Sequence, residues 1–217
     1  HKTFGDFDLN LLVGTTTEAT KTTNNTRWGY NFVTEGLYSF NNIIKANQYF
    51  KESTVRKRMV GLYGEFRASY KNLVYLTVTG RNDWSSTLSK ETRSYFYPSL
   101  AGSIVLSEII TLPEVWNFWK IRGSWTTSKQ DAAVYDNNNV YSVSTNVWDG
   151  LGTASYPSSL IGGNVHPKKS MVYEVGTAAN FFNNRLYADF AYFRKLESDF
   201  IISGGISSAT GFSSVQV

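Results

Sequence analysis

Apolar and polar residues alternate with a period of two along seven stretches of this chain, at roughly 4–14, 58–70, 73–84, 95–106, 118–128, 169–182 and 185–198. A period of two sends successive side chains to opposite faces of a β-strand. In the first stretch Phe7, Leu9, Leu11 and Val13 share one face, and Asp6, Asp8 and Asn10 the other. Val60, Leu62, Phe66 and Ala68 stand against Tyr63, Glu65, Arg67 and Ser69; Val74, Leu76 and Val78 stand against Tyr75, Thr77, Thr79, Arg81 and Asp83. Downstream, Trp119, Ile121 and Trp125 oppose Lys120, Arg122 and Ser124. Val175, Ala179 and Phe181 oppose Glu174 and Asn180, and Leu186, Ala188 and Phe190 oppose Tyr187, Asp189 and Lys195, with Arg194 an exception near a strand end.

A soluble sandwich alternates in the same way, and the connections separate the two architectures. Tyr70-Lys71-Asn72-Leu73 and Phe182-Asn183-Asn184-Arg185 read as tight hairpin turns, whereas 15–57, 85–94 and 129–168 are long, polar links rich in Ser, Thr, Asn and Gly. Short and long links in turn are what a membrane barrel needs, with short turns on one side and long loops on the other. The fold class expected is all-β: an antiparallel transmembrane β-barrel segment of about seven strands. The link 107–117 is the longer one on the short-turn side, and its apolar residues around Pro113 are expected to form a brief helical turn. Tyr70, Tyr95, Phe96, Tyr97, Trp119, Trp125, Phe181 and Phe182 lie near strand ends, where amphipathic rings suit the headgroup level.

Composition changes this picture little. Aromatic residues make up 16% of the chain against 4 Pro, a mix that favours strands. With no Cys, disulfides and thiolate metal sites are excluded. Net charge is +4, but Arg56, Lys57 and Arg58 form the one basic run, which makes nucleic acid a poor partner. No run of about 18 apolar residues exists, so a transmembrane helix is excluded, and any targeting segment is expected upstream of His1. Seven strands do not close a membrane barrel, because single-chain barrels begin at about eight. The stretch 1–217 is therefore expected to be part of one barrel domain, with 203–217 an outer loop before the next strand.

Several local motifs resemble the SusC/RagA family of TonB-dependent outer-membrane transporters, over nearly all of 58–212. Thr79-Gly80-Arg81-Asn82-Asp83-Trp84-Ser85-Ser86 resembles the family's T-x-R-x-D-G-S-S step, with Trp84 in place of Gly. Tyr97-Pro98-Ser99 and Ser107-Glu108 resemble F-P-S…S-E, although the G-W between them is missing. Lys120-Ile121-Arg122-Gly123-Ser124-Trp125 is similar to L-K-L-R-x-S-x-G, and Tyr173-Glu174-Val175-Gly176 with Phe182-Asn183-Asn184-Arg185-Leu186 to Y-E-x-G…F-x-N-R-L. Tyr192, Arg194, Lys195, Asp199, Phe200 and Ile201 resemble Y-x-K-x-T-x-D-L-I, and 208–212 the loop that follows it; Lys168 stands where the family often has an acid. The resemblance implies a 22-stranded barrel in the bacterial outer membrane, surrounded by lipid. It further implies a plug domain that engages the TonB complex outside this stretch, and a SusD-like surface lipoprotein as lid. The implied activity is active import of glycans or oligopeptides.

Catalytic chemistry is thinly represented: His1 and His166 are the two histidines, and neither a phosphate loop nor metal-spaced ligands occur. Asp83 with Glu91, or Asp131 with Asp136, would be the glycosidase pairs to test, but carboxylates in polar loops are ordinarily solvated. No catalytic residue, metal or cofactor is assigned. Glu65, Arg67, Arg81, Asp83, Lys120, Arg122, Glu174 and Asp189 are the expected lining of a wet lumen. Trp84, with Tyr135, Tyr141, Trp148, Asp149 and Tyr156 of the long loop, combines rings for stacking with hydrogen-bonding groups; these are the candidate ligand contacts, and loop packing or a lid seat would use the same residues. Arg56, Lys57 and Arg58 are placed to meet anionic lipopolysaccharide or to be solvated. The competing functions are a passive porin or surface adhesin on the same barrel, and a secreted carbohydrate-binding β-sandwich.

Overall fold

A computed structural model of the chain describes residues 1–136, 138–143, 151–161, 163 and 165–216. Its strands are β1 (Lys2–Phe4), β2 (Phe7–Gly29), β3 (Gln48–Tyr70), β4 (Val74–Ser85), β5 (Ser94–Val105), β6 (Trp116–Gln130), β7 (Ser142–Val143), β8 (Ala154–Ser155), β9 (Ser159–Ile161), β10 (Lys168–Phe181), β11 (Leu186–Ser198), β12 (Ser203–Gly205) and β13 (Ser214–Gln216). Eight of them form one open sheet in the order β1-β2-β3-β4-β5-β6-β10-β11. Each is antiparallel to its neighbours. Among the described residues helical structure is limited to three-residue 3-10 turns, and no helix is long and apolar enough to cross a membrane. All seven expected strands form, and each of the long ones has at least 12 residues, against the 9–11 or so that a bilayer crossing requires.

The hairpin turns form as their residues dictate. Lys71 and Asn72 have φ of 51° and 57°, and Asn183 and Asn184 have 57° and 64°, the left-handed region that Asn tolerates and that matches strand twist. Leu73 N–H closes the first turn on Tyr70 O at 2.8 Å and Arg185 N–H the second on Phe182 O at 3.2 Å. These turns, the β1–β2 turn and the β5–β6 link share one end of the sheet, and the long loops share the other.

Alternation in the sequence becomes two unlike faces. Register aligns Leu9 with Ala68 and Leu76, then Gly102, and aligns Leu100 with Trp125 and Tyr173. The resulting outward face is apolar yet solvent-accessible, with Leu11, Val175 and Phe190 at 70%, 54% and 68% exposure. The buried apolar cluster is small: Leu88, Tyr95, Ala132 and Val165, joined by Tyr97, Ile161 and Ile201, all at the loop end. A sandwich buries its apolar face against a second sheet; among the described residues no second sheet covers this face.

Four expectations are corrected. The link 15–57 is not a loop: β2 and β3 continue as a two-stranded ribbon from Ala19↔Arg58 to Gly29↔Gln48, projecting roughly 35 Å past β4 at the usual rise per strand residue. Its runs of Thr keep a strand preference while both faces turn polar, so alternation vanishes though the strands persist. Its tip is held by Trp28 stacked on Tyr49 at 4.2 Å and by Asn42, whose amide donates to Thr34 O and Leu37 O at 2.7 and 2.8 Å. Tyr95 and Tyr97 face inward opposite Asp83 and Arg81: Tyr97 OH donates to the Asp83 carboxylate, and Tyr95 packs into the buried loop-end cluster with its hydroxyl 3.9 Å from Met59 Sδ, while Phe96 stays outward. In 107–117 the helical turn lies earlier, at Leu106–Glu108, since Trp116 is drawn into β6 beside Phe181. Finally, 203–217 is not plain loop, because β12 and β13 pair with each other and β13 runs parallel to β9.

On the short-turn side the outward rings gather, with Phe7 on Tyr70 at 4.6 Å and Trp116 on Trp119 at 4.8 Å. Replacing outward Leu76 by Arg should cost about 2–4 kcal/mol of folding free energy if that position lies near the bilayer midplane. Reversible unfolding of the full-length protein in lipid vesicles measures this, and an unchanged midpoint would reverse the assignment of faces.

Candidate functional site

The inward face is built from the same register, one residue out of phase. It carries Glu65 and Arg67 of β3, Arg81 and Asp83 of β4, Lys120 and Arg122 of β6, Glu174 of β10 and Asp189 of β11. All eight expected lining residues therefore share one face. They cluster into ion pairs more than into a free binding surface.

The first network centres on Asp83, 3% exposed. Arg81 Nε donates to its Oδ1 at 2.8 Å and Tyr97 OH to its Oδ2 at 2.6 Å, and Arg81 Nη2 reaches Thr16 Oγ1 of β2 at 3.1 Å. Gly61 on β3 lies opposite Asp83, and a Cβ there would overlap Asp83, Arg81 and Thr16, so glycine opens the lane through which the network crosses β3. The second network centres on Arg122, which grips Asp189 through two bonds of 2.8 and 2.9 Å and lies 3.5 Å from Glu174. Tyr187 OH donates to the same Asp189 at 2.8 Å. Between Arg122 and Asp189 lies Gly176, whose missing side chain lets the guanidinium pass over β10. Planar two-point pairing fixes geometry in a way that Lys would not. Glu65 is held by Arg67 at 2.7 Å, and Lys120 lies 5.8 Å from the Tyr75 ring centre. Tyr75, Lys120, Arg122 and Glu174 border a groove of about 220 Å³ on this face.

A third network joins the loops to the sheet. Asp131, just past β6, meets Lys57 Nζ of the β3 extension at 2.8 Å, and accepts from Ser85 Oγ and Thr87 Oγ1 at 2.5 and 3.2 Å. Nearby, Thr92 Oγ1 donates to Val165 O at 2.9 Å, over the Leu88-Tyr95-Ala132-Val165 cluster. Burial alone would raise the Asp131 pKa; the Lys57 ammonium and the two hydroxyls outweigh it and hold the carboxyl below its ordinary value. Both carboxylates that headed the glycosidase pairs, Asp83 and Asp131, are thus engaged in structural contacts.

Above this clasp lies a cavity of about 720 Å³, open at the loop side and bordered by Arg56, Thr87, Ser89, Tyr135, Asn138 and Asn139. Of the candidate ligand contacts, Tyr135 lines it. Tyr141 packs on Tyr156 at 4.7 Å and Tyr156 meets Phe212 edge-on at 6.2 Å, so these two rings hold loop to loop. Trp84 stands apart, outward, between Val60 and Ser94. Trp148 and Asp149 lie outside the described residues. Sequence reasoning missed Thr16, Ser85 and Thr87, whose partners are remote in the chain, and Asn138 and Asn139, two more polar residues of a long loop; Lys57, expected at lipopolysaccharide or in solvent, is instead paired with Asp131.

Because the folded-state pKa of Asp131 is depressed, its clasp contributes stability that is complete above the ordinary value of 3.8 and is lost as pH falls through the lower folded value. Protease cleavage within 86–93 and 131–167 should therefore stay slow to below that ordinary value and then rise. Asp131→Asn should speed cleavage at neutral pH, consistent with about 1–3 kcal/mol of local destabilisation. An equal rate in wild type and variant at neutral pH would remove the clasp from the account.

Residues 1–217 match a family model described as TonB dependent receptor-like, beta-barrel. Two curated relatives come from Formosa agariphila. TonB-dependent receptor P26 is 26% identical over 164 residues, covering 72% of this chain and 16% of that protein; TonB-dependent receptor P3 is 23% identical over 227 residues, covering 99% and 22%. Among solved structures, one described as the RagAB peptide transporter superposes with a TM-score of 0.78 at 19% identity, over 98% of this chain and 24% of that one. The RagAB peptide importer in its closed-closed state gives 0.77 at 18%, over 100% and 24%. The chain spans about a quarter or less of the length of each of these relatives.

Proposed function

Because the chain belongs to the TonB dependent receptor-like β-barrel family, we propose that it forms part of the barrel wall of an outer-membrane importer for glycans or oligopeptides, driven through TonB. The observation that carries this reading is the family match over all 217 residues. The division of the sheet into an exposed apolar face and an ion-paired polar face supports it, since a solute conduit through lipid needs both. In this reading the Arg81–Asp83 and Arg122–Asp189 networks brace the inner wall where it meets a plug, keeping the conduit wet without offering unpaired charge to trap a polar solute. The open cavity beside Tyr135, Asn138 and Asn139 is the outer vestibule, where a ring can stack on a sugar or proline face and amides can bond hydroxyls or peptide groups. A SusD-like lipoprotein is proposed to close over the loops, with the long β2–β3 ribbon as a rigid arm at its edge.

The family match, and an apolar face with no second sheet against it among the described residues, favour this over a secreted sandwich; a passive porin or surface adhesin on the same barrel is the remaining competitor. Uptake separates the two. Cells carrying the full-length protein should accumulate a labelled oligosaccharide or oligopeptide, and lose most of that uptake when TonB is deleted. Unchanged flux without TonB would establish the porin instead.

A further inference from the structure

The two faces of the sheet carry charge differently. The inward face mixes signs and pairs them. On the outward face of the full-width sheet, from Phe7 of β2 to Leu196 of β11, the strands carry no carboxylate, and their cations collect at the loop-side ends. Lys129 and Lys169 are direct cross-strand neighbours on β6 and β10, both half-buried, and the next outward residue in that row is Ser198. Like charges directly opposite repel. Two rows nearer the bilayer, Arg194 sits beside Tyr173, which is beside Trp125. Across β5, exposed Arg58, Lys90 and Arg93 border one groove of about 590 Å³ with Val60 and Trp84. One carboxylate, Glu91, shares their loop. Among the described residues none of these six cations has an ion pair within 4.0 Å.

The basic run 56–58 is split by this geometry. Lys57 turns inward to Asp131 at 2.8 Å, Arg56 borders the vestibule, and Arg58 alone joins the outward groove.

We propose that this rim is a docking collar for phosphate-bearing glycolipid of the outer leaflet, with one seat at Lys129 and Lys169 and a second at Arg58, Lys90 and Arg93; Arg194, a row below Met171 and Leu196, lies outside the first seat. Each seat stands directly above apolar strand surface, Met171 and Leu196 in the first and Val60 and Trp84 in the second. A lipid offers acyl chain and phosphate in that vertical order, whereas a soluble anion offers only the charge. Long cationic side chains lay their stems on the apolar band and lift their heads to the phosphate plane. A phosphate between Lys129 and Lys169 turns their repulsion into a shared bridge. At the short-turn end Lys2 and Lys71 are already engaged: Lys2 of β1 lies over the Phe4 ring at 4.6 Å and Lys71 pairs with Asp6 at 3.3 Å.

The test uses the full-length protein in nanodiscs of neutral phosphatidylcholine, titrated with diphosphorylated lipid A and read by native mass spectrometry. Wild type is expected to retain lipid A in preference to its dephosphorylated form. Lys129→Gln/Lys169→Gln and Arg58→Gln/Arg93→Gln should each weaken retention by about fivefold per cation removed. Equal retention in the variants, equal retention of the dephosphorylated lipid, or displacement by millimolar inorganic phosphate would overturn the proposal, the last by assigning the seats to free phosphate. In neutral lipid alone the lysine double variant should unfold at the same temperature as wild type or higher, because a repulsion has been removed. A lower temperature there would give the lysines a structural role and likewise overturn it.

Discussion

In hydrocarbon an unpaired backbone N–H or C=O costs several kcal/mol, and everything else in this sheet follows from avoiding that cost. Seven long strands satisfy it by pairing each with the next in an antiparallel meander, extended by short β1 at one edge. Once the register is fixed, so is the face on which every side chain falls, because a slip of one residue would exchange all of them. Leu76 and Leu100 share the outward face for the same reason that Arg81 and Asp83 meet one another. The sheet is open, and the relatives are several times longer than this chain; its edges, β1 and β11, are where further barrel strands would pair.

The inward networks exploit that register across several strands. Arg122 on β6 reaches Asp189 on β11 over Gly176 of the strand between, and Arg81 on β4 reaches Thr16 on β2 across Gly61. Each glycine is explained by the side chain that passes over it, not by backbone conformation. Such pairs add little net stability where they are solvated; their effect is to neutralise charge across the inward face. The loop end is built otherwise: a small apolar cluster around Tyr95 and the Asp131 clasp tie three separate loops to the strands.

Much of this was legible in the sequence, and what was not has a physical cause. The strand faces, the hairpin turns and the asymmetry of the links were readable because each depends on neighbours in the chain. The motif residues that carried the family resemblance, Arg81, Asp83, Arg122, Glu174 and Gly176, prove to be members of the two inward networks or the lane between them. The β2–β3 ribbon was hidden because a strand exposed on both faces shows no alternation. Tyr95 and Tyr97 were misplaced because a tyrosine near a strand end suits a headgroup, a buried carboxylate (as for Tyr97) or a buried apolar cluster (as for Tyr95), and only register decides. The clasp was invisible because Lys57 and Asp131 are 74 positions apart. Of the ligand candidates, proximity in sequence grouped Trp84 with the loop entrance, whereas strand geometry turned it outward.

The central claim is that one face of this sheet lies in lipid and the other lines a water-filled conduit. These 217 residues contain no cysteine; with any cysteine elsewhere in the full-length protein replaced, single cysteines at positions 74–80 can carry spin labels in reconstituted membranes, with accessibility measured to oxygen and to a water-soluble nickel complex. The account predicts strict alternation, with labels at 74, 76 and 78 exposed to oxygen and those at 75, 77 and 79 exposed to nickel. Uniform accessibility, or the opposite phase, would contradict it.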